Sequence, residues 1–149
     1  MIRGAVARHA LAAMAILLAL ASPVAQEKGF VVIVNKANPV KSLTLVELRR
    51  IFMKETRMWT HGESIVPVEW DATNPLRGEF SQRVLQRSVR DMADFWVQQG
   101  VTQGLTPPST QRSSRALLRF VASVTGAISY LPASDADDTV AVIKVTSSR

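Results

Sequence analysis

The sequence predicts an α/β fold, a mixed β-sheet flanked by helices. Three observations predict it. Short β-branched apolar runs, such as residues 30–34 and 140–145, read as buried strands. Segments opened by Ser, Thr or Asn carry apolar residues at spacings of three and four, the mark of a helix with one inward face. The two kinds follow one another as β-α-β-α-α-α-β-β, an order that builds a sheet covered by helices.

Residues 30–34 (FVVIV) form the first strand, and Asn38-Pro39 turns the chain after it. Thr44 caps the first helix and Glu47 completes a capping box. Leu45, Leu48, Ile51 and Phe52 share its inner face. Residues 54–63 are polar and form a loop, which Trp59 pins to the body. Residues 65–70 are the second strand. Pro67 lacks a ladder donor, which places this strand at a sheet edge or delays its start. Asn74 then caps a helix with Pro75 at its first position and Phe80, Val84 and Leu85 inside. Ser88 and Asp91 open another, with Met92, Phe95 and Trp96 inward and Gly100 as the stop. Residues 101–111 read as a loop with Gly104 and Pro107-Pro108. Residues 113–125 form a further helix ended by Gly126, with Leu117, Phe120, Val121 and Val124 inside. Residues 127–131 and 140–145 are the last strands, separated by an acidic turn, and residues 146–149 are a frayed tail.

The 149 residues favour one folded domain. Residues 1–25 read as a leader rather than as part of it. Arg3 and Arg8 precede 12 uninterrupted apolar residues, 10–21, and cleavage after Ala21 or Ala25 is expected. A spanning helix needs about 20 apolar residues, so this run is a secretory signal and no stable membrane insertion follows its removal. The folded unit is then residues 26–149, expected to be exported. The chain has no cysteine, which closes both lipoprotein anchoring and disulfides. The net charge of +6 falls to +4 once Arg3 and Arg8 leave. The remaining arginines are scattered rather than blocked, which argues against a nucleic-acid arm.

The sequence offers little to an enzyme. His9 leaves with the leader, and His61 sits in a loop with no Gly-x-Ser-x-Gly elbow to serve it. One remaining histidine and no cysteine make a transition-metal cage improbable, so no metal and no cofactor are expected. Asp135, Asp137 and Asp138 lack the spacing of a calcium loop and read as an exposed acidic turn. A hydrolase built on His61 and a nearby carboxylate is the weakest class. The stronger feature is the Asn74–Gly78 turn. A helix N-terminus presents free N–H groups and the positive end of a dipole to an oxyanion, and Arg77 adds a forked donor. The same residues also suffice for plain capping. Trp96 fits the core, and Trp70 either lines the site or packs.

One series of residues carries a resemblance. It comprises Asn35-Lys-Ala-Asn-Pro39, the leucine-rich helix ending in Ile51-Phe52, Trp59 with Gly62, Ile65-Val-Pro-Val68, Asn74-Pro-Leu-Arg77 with Phe80, and Gly126-Ala-Ile-Ser-Tyr130. Together they resemble the periplasmic phosphate-binding proteins of ABC importers. The resemblance implies one lobe of a type II periplasmic-binding-protein-like fold, a short single-lobe form without catalysis. It implies phosphate or a related oxyanion held by Asn74, Leu76, Arg77 and Gly78, with Ser109, Thr110 and Gln111 beside them. That family's Ser-Gly-Thr-Arg turn is altered here to Asn74-Pro75-Leu76-Arg77, so two hydroxyls and one backbone donor are missing and weak binding is expected. An ABC permease or another envelope protein is the implied partner, and a weak homodimer is a further expectation. The alternative is a non-catalytic interaction or sensing module of the cell envelope that has lost its ligand.

Overall fold

The structure, a computed structural model, describes residues 29–147; the expected leader lies outside the described residues. The elements in order are β1 (Phe30–Asn35), β2 (Ser42–Thr44), α1 (Leu45–Phe52), β3 (Val66–Trp70), α2 (Pro75–Phe80), α3 (Val89–Gln103), β4 (Ser109–Gln111), α4 (Ser114–Ser123), β5 (Ala127–Pro132) and β6 (Val140–Thr146). A wider π-helical turn, Ser81–Leu85, continues α2. The strands form one mixed sheet in the order β2-β6-β1-β5-β3-β4. β1 runs antiparallel to β5 and β6, while β3 is parallel to both β5 and β4.

Both faces of the sheet are covered. Successive residues of a strand point to opposite sides, and Val32, Ile33 and Val34 are all at most 1% exposed. An aromatic cluster fills one side. Phe80 stacks on Tyr130 at 3.8 Å between ring centres, and Phe52 and Phe30 meet both rings edge-on or tilted. Asn35 donates through Nδ2 to the carbonyls of Val121 and Ala122, at 2.8 and 3.0 Å, and so ties α4 to β1.

The expected caps form. Thr44 with Glu47 and Ser88 with Asp91 make reciprocal capping boxes, and Asn74 Oδ1 accepts from the Leu76 N–H. Trp59 is buried and donates to the Gly126 carbonyl, pinning its loop as expected.

Four local expectations are corrected. Two short strands, β2 and β4, lie where turn or loop was expected; three-residue strands give no period to read. Of the two readings of Pro67 the edge position fails, because β3 lies between β5 and β4, and the delayed start holds on the β4 side. The donors of β3 alternate sides, and Val66 N–H bonds the Gly126 carbonyl on the β5 side. The missing donor of Pro67 therefore faces β4, whose pairing starts one residue later, at Val68. α3 runs past Gly100 to Gln103, and Gly104 at φ +66° is the cap, since a left-handed cap needs a positive φ that Gly100 does not have. Gly126 does not cap α4 in that way. A Cβ there would stand 1.9 Å from the Ser64 carbonyl oxygen, so glycine is required for close approach of the Trp59 loop.

Candidate functional site

The turn after β3 carries Asn74, Leu76, Arg77 and Gly78. Asp71 leaves the strand and its N–H bonds the Gln111 carbonyl at 2.9 Å, which fixes β4 beside the turn. Ser109, Thr110 and Gln111 form β4 and pair with Val68, Glu69 and Trp70, on the strand that leads into this turn. A concavity of about 490 Å³ opens there, lined by Asp71, Thr73, Asn74, Pro75 and Arg112.

Most donors of this turn already have acceptors. Leu76 N–H is taken by Asn74 Oδ1 at 2.9 Å, Arg77 N–H bonds the Asn74 carbonyl at 3.0 Å, and Pro75 has none. The N–H and hydroxyl of Thr73 both donate to Asp71 Oδ1, at 3.1 and 2.7 Å. These bonds from Thr73, hydroxyl first, hold the Asp71 carboxyl below its usual range, and Arg112 adds to the effect from 3.7 Å. The chain's own carboxylate therefore occupies donors that an incoming anion would use. Gly78 is half-buried, with open space where a side chain would stand.

Arg77 is placed differently from the expectation of a free anion clamp. Its side chain turns inward and is 7% exposed. Nη2 lies 2.8 Å from Glu69 Oε2, and Nη1 donates to the Trp70 carbonyl at 2.8 Å. Burial pushes the Glu69 carboxyl up to about 7, with the Arg77 charge opposing the rise. Tyr130 is raised for the same reason, burial first and the Glu69 charge second. The cation beside the turn is instead Arg112, which is exposed. Sequence reading missed it because it belongs to no cap, stripe or motif; its closeness to Asp71 follows from the β3–β4 pairing. Glu69 was legible as a charge inside a strand, which calls for a buried partner.

Trp70 packs rather than lining this concavity: it is 5% exposed and donates to the Tyr130 carbonyl at 2.9 Å. His61 lies over Trp59 and 3.4 Å from Glu63 Oε2, while Glu63 Oε1 accepts from the Thr125 hydroxyl. The carboxylate stands between the imidazole and the hydroxyl, so His61 meets Glu63 and not the Thr125 hydroxyl. Among the described residues no cluster of three metal-ligating side chains occurs, and no helix is long and apolar enough to cross a membrane.

The sheet order and the helices define a mixed α/β unit, with a polar turn at the end of β3. Solved structures give the comparison. The chain is similar to a putative phosphate ABC transporter substrate-binding protein with bound phosphate from Clostridium perfringens, at 27% identity and a TM-score of 0.63, over 78% of this chain and 44% of that one. It is also similar to an ABC-type phosphate transport receptor from Vibrio cholerae, at 21% identity and 0.57, over 78% and 46%. PstS from Borrelia burgdorferi matches at 10% identity and 0.61, over 80% and 48%. The resemblance to phosphate-binding receptors therefore holds at the level of the fold. The chain spans just under half the length of these structures. No protein-family model and no curated protein matches the sequence.

Proposed function

We propose that this chain is a solute-binding protein of the cell envelope that takes a small oxyanion, phosphate first among them, weakly and without catalysis. The observation that carries this is the fold, shared with phosphate receptors of ABC importers while the sequence keeps a polar turn at the end of β3. In this reading residues 1–25 are removed on export to the periplasm, and residues 26–149 form the binding unit, which docks with an ABC permease. The anion sits in the Asp71–Asn74 concavity beside Ser109, Thr110 and Gln111, and Arg112 supplies the positive charge in place of the buried Arg77.

Affinity is low because the donors at Thr73 and Leu76 are engaged and Asp71 repels the ligand. Each hydrogen bond to a charged group that is not made forfeits about 1.5–3 kcal/mol, so binding in the high-micromolar range or weaker is expected. Calorimetry with phosphate and sulfate tests this. Asp71→Asn should tighten binding severalfold, since a unit charge about 4 Å away costs about 1 kcal/mol even in water. Arg112→Ala should weaken it by a similar factor. Absence of any saturable heat for the parent chain and for Asp71→Asn would overturn oxyanion binding.

A second reading, an interaction or sensing module that has lost its ligand, is favoured by one observation: Asp71 and Glu69 already satisfy the two groups, Thr73 and Arg77, best suited to an anion. Calorimetry separates the two.

A further inference from the structure

Another cavity lies at the start of β3, away from the polar turn at its end. A strand rises about 3.3 Å per residue, so Ile65 and Asp71 stand about 20 Å apart. The cavity's volume is about 290 Å³, and Lys54, Thr56, Arg57, Ser64 and Thr106 form its polar wall. Ile51, Ile65 and Leu105 form an apolar one. Lys54 sits just past the cap of α1, and its N–H bonds the Ile51 carbonyl at 3.0 Å. The backbone there is left-handed, with φ +57°, a conformation that glycine takes without strain and lysine does not. Strain of this kind is kept where the side chain serves a purpose. The Arg57 side chain folds back on Lys54, its Nε donating to the Lys54 carbonyl at 3.1 Å. Burial lowers the pKa of the Lys54 ammonium, and the neighbouring Arg57 charge lowers it further. The ion pairs among the described residues involve neither cation. Ser64 Oγ donates only weakly, to Met58 Sδ at 3.7 Å.

We propose that this cavity binds a small organic dianion, a phosphate monoester with a short apolar body. Its phosphoryl oxygens take the Lys54 ammonium, the Nη groups of Arg57 and the hydroxyls of Thr56, Ser64 and Thr106. Its body lies on Ile51, Ile65 and Leu105. Two cations held together without an acid repel one another, and a dianion between them attracts both. The donors are within reach of a ligand, since Thr56, Arg57, Ser64 and Thr106 are exposed and Lys54 is half-buried. The cavity is larger than a bare tetrahedral anion needs, and the apolar wall rewards an organic body that covers it. None of these residues lines the oxyanion concavity, so this is a second site, independent of the first.

Phenyl phosphate is the probe. Titrated into the ¹⁵N-labelled chain at low salt, it should shift the amides of Thr56, Ser64, Leu105 and Thr106 together and saturably, with half-saturation at or below the millimolar range. Inorganic phosphate should bind there about fivefold more weakly for want of the apolar body. Phenol, with the body and no charge, should shift none of them. Lys54→Gly should weaken phenyl phosphate about tenfold, the weight of one lost charge-assisted bond. The same variant should melt no lower than the parent, since glycine suits the left-handed backbone. Arg57→Gln, at an exposed position, repeats the test at the second charge and should weaken binding by a similar factor. Arg119→Gln removes an equal charge outside this cavity and should change nothing. The proposal is overturned if phenyl phosphate leaves these amides unshifted or shifts them without saturating, or if phosphate or phenol binds as tightly. It is equally overturned if Lys54→Gly and Arg57→Gln bind no more weakly than Arg119→Gln. Inorganic phosphate read at the Thr73 and Leu76 amides reports separately on the oxyanion concavity and should be unchanged by Lys54→Gly, so either site can fail without the other.

Discussion

Glu69 and Arg77 decide more about this molecule than any other pair of side chains. Two charges at most 8% exposed, 2.8 Å apart, hold the end of β3 against the start of α2. Removing one partner of such a pair leaves the other buried and uncompensated, at about 3–5 kcal/mol. Arg77→Ala should therefore lower the urea midpoint of unfolding rather than act as a clean probe of anion binding, which is why Arg112 is the better test. The pH dependence follows from Glu69, whose carboxyl is raised from 4.5 to about 7. The folded state holds this proton more tightly than the unfolded chain does. The contribution is complete below about pH 4.5 and is lost as pH rises through about 7. Asp71, Asp91 and Glu47 are shifted the other way, so their contributions are present above their ordinary values and fall away in acid. Between pH 5 and 8 the Glu69 effect stands alone among these carboxylates. Urea unfolding across that window should show the parent chain losing stability towards pH 8, while Glu69→Gln, with no proton to lose, should lack that component. An identical slope in both would remove Glu69 as its source. Reading Arg77 from its place in a turn motif gave its position but not its partner, because the partner is eight residues back and meets it only once β3 and α2 have formed.

At the scale of elements, caps were legible and stops were not. Thr44, Asn74, Ser88 and Ser113 are local signals: side chain and recipient N–H lie two or three residues apart, and all four bonds form. A glycine stop is ambiguous, because glycine also serves wherever two backbones touch. Gly100 and Gly126 separate the roles. Gly100 sits inside α3, and a Cβ there would meet the Leu105 carbonyl at an ordinary 3.5 Å. Gly100→Ala should raise stability by about 0.5–1 kcal/mol through helix propensity and reduced freedom of the unfolded chain. Gly126→Ala cannot be accommodated without moving the Ser64 backbone, so the same alanine should be strongly destabilising there. Thermal melts of the two variants should move in opposite directions, and a Gly126→Ala melt equal to the parent would refute the close-approach reading.

At the scale of the whole molecule, the α/β class and the order of the main helices and strands were readable from periodicity and caps, and the family resemblance reached the fold. Neither β4 nor the neighbours of β3 could be read, since strand partners depend on contacts far apart in sequence. The candidate site inherited that gap. Of the residues that line the concavity only Asn74 was expected as a ligand residue, and the pairing that sets Arg112 against Asp71 and turns Arg77 inward was not visible.

Self-association belongs to this scale as well. The outer side of α3 exposes Val97 at 70% and Val101 at 84%, one turn apart, and Val142 on β6 is 54% exposed. Exposed apolar residues spaced four apart form one stripe, and contiguous apolar surface on a folded protein tends to find a partner. A weak homodimer through this stripe is the prediction. Light scattering across a hundredfold concentration range should show the mean mass rising, and Val101→Glu should hold it at the monomer value by placing like charges face to face. The substitution is on an exposed helix surface and leaves the core untouched, so its melt should match the parent. A parent chain that stays monomeric throughout the range would rule out the homodimer.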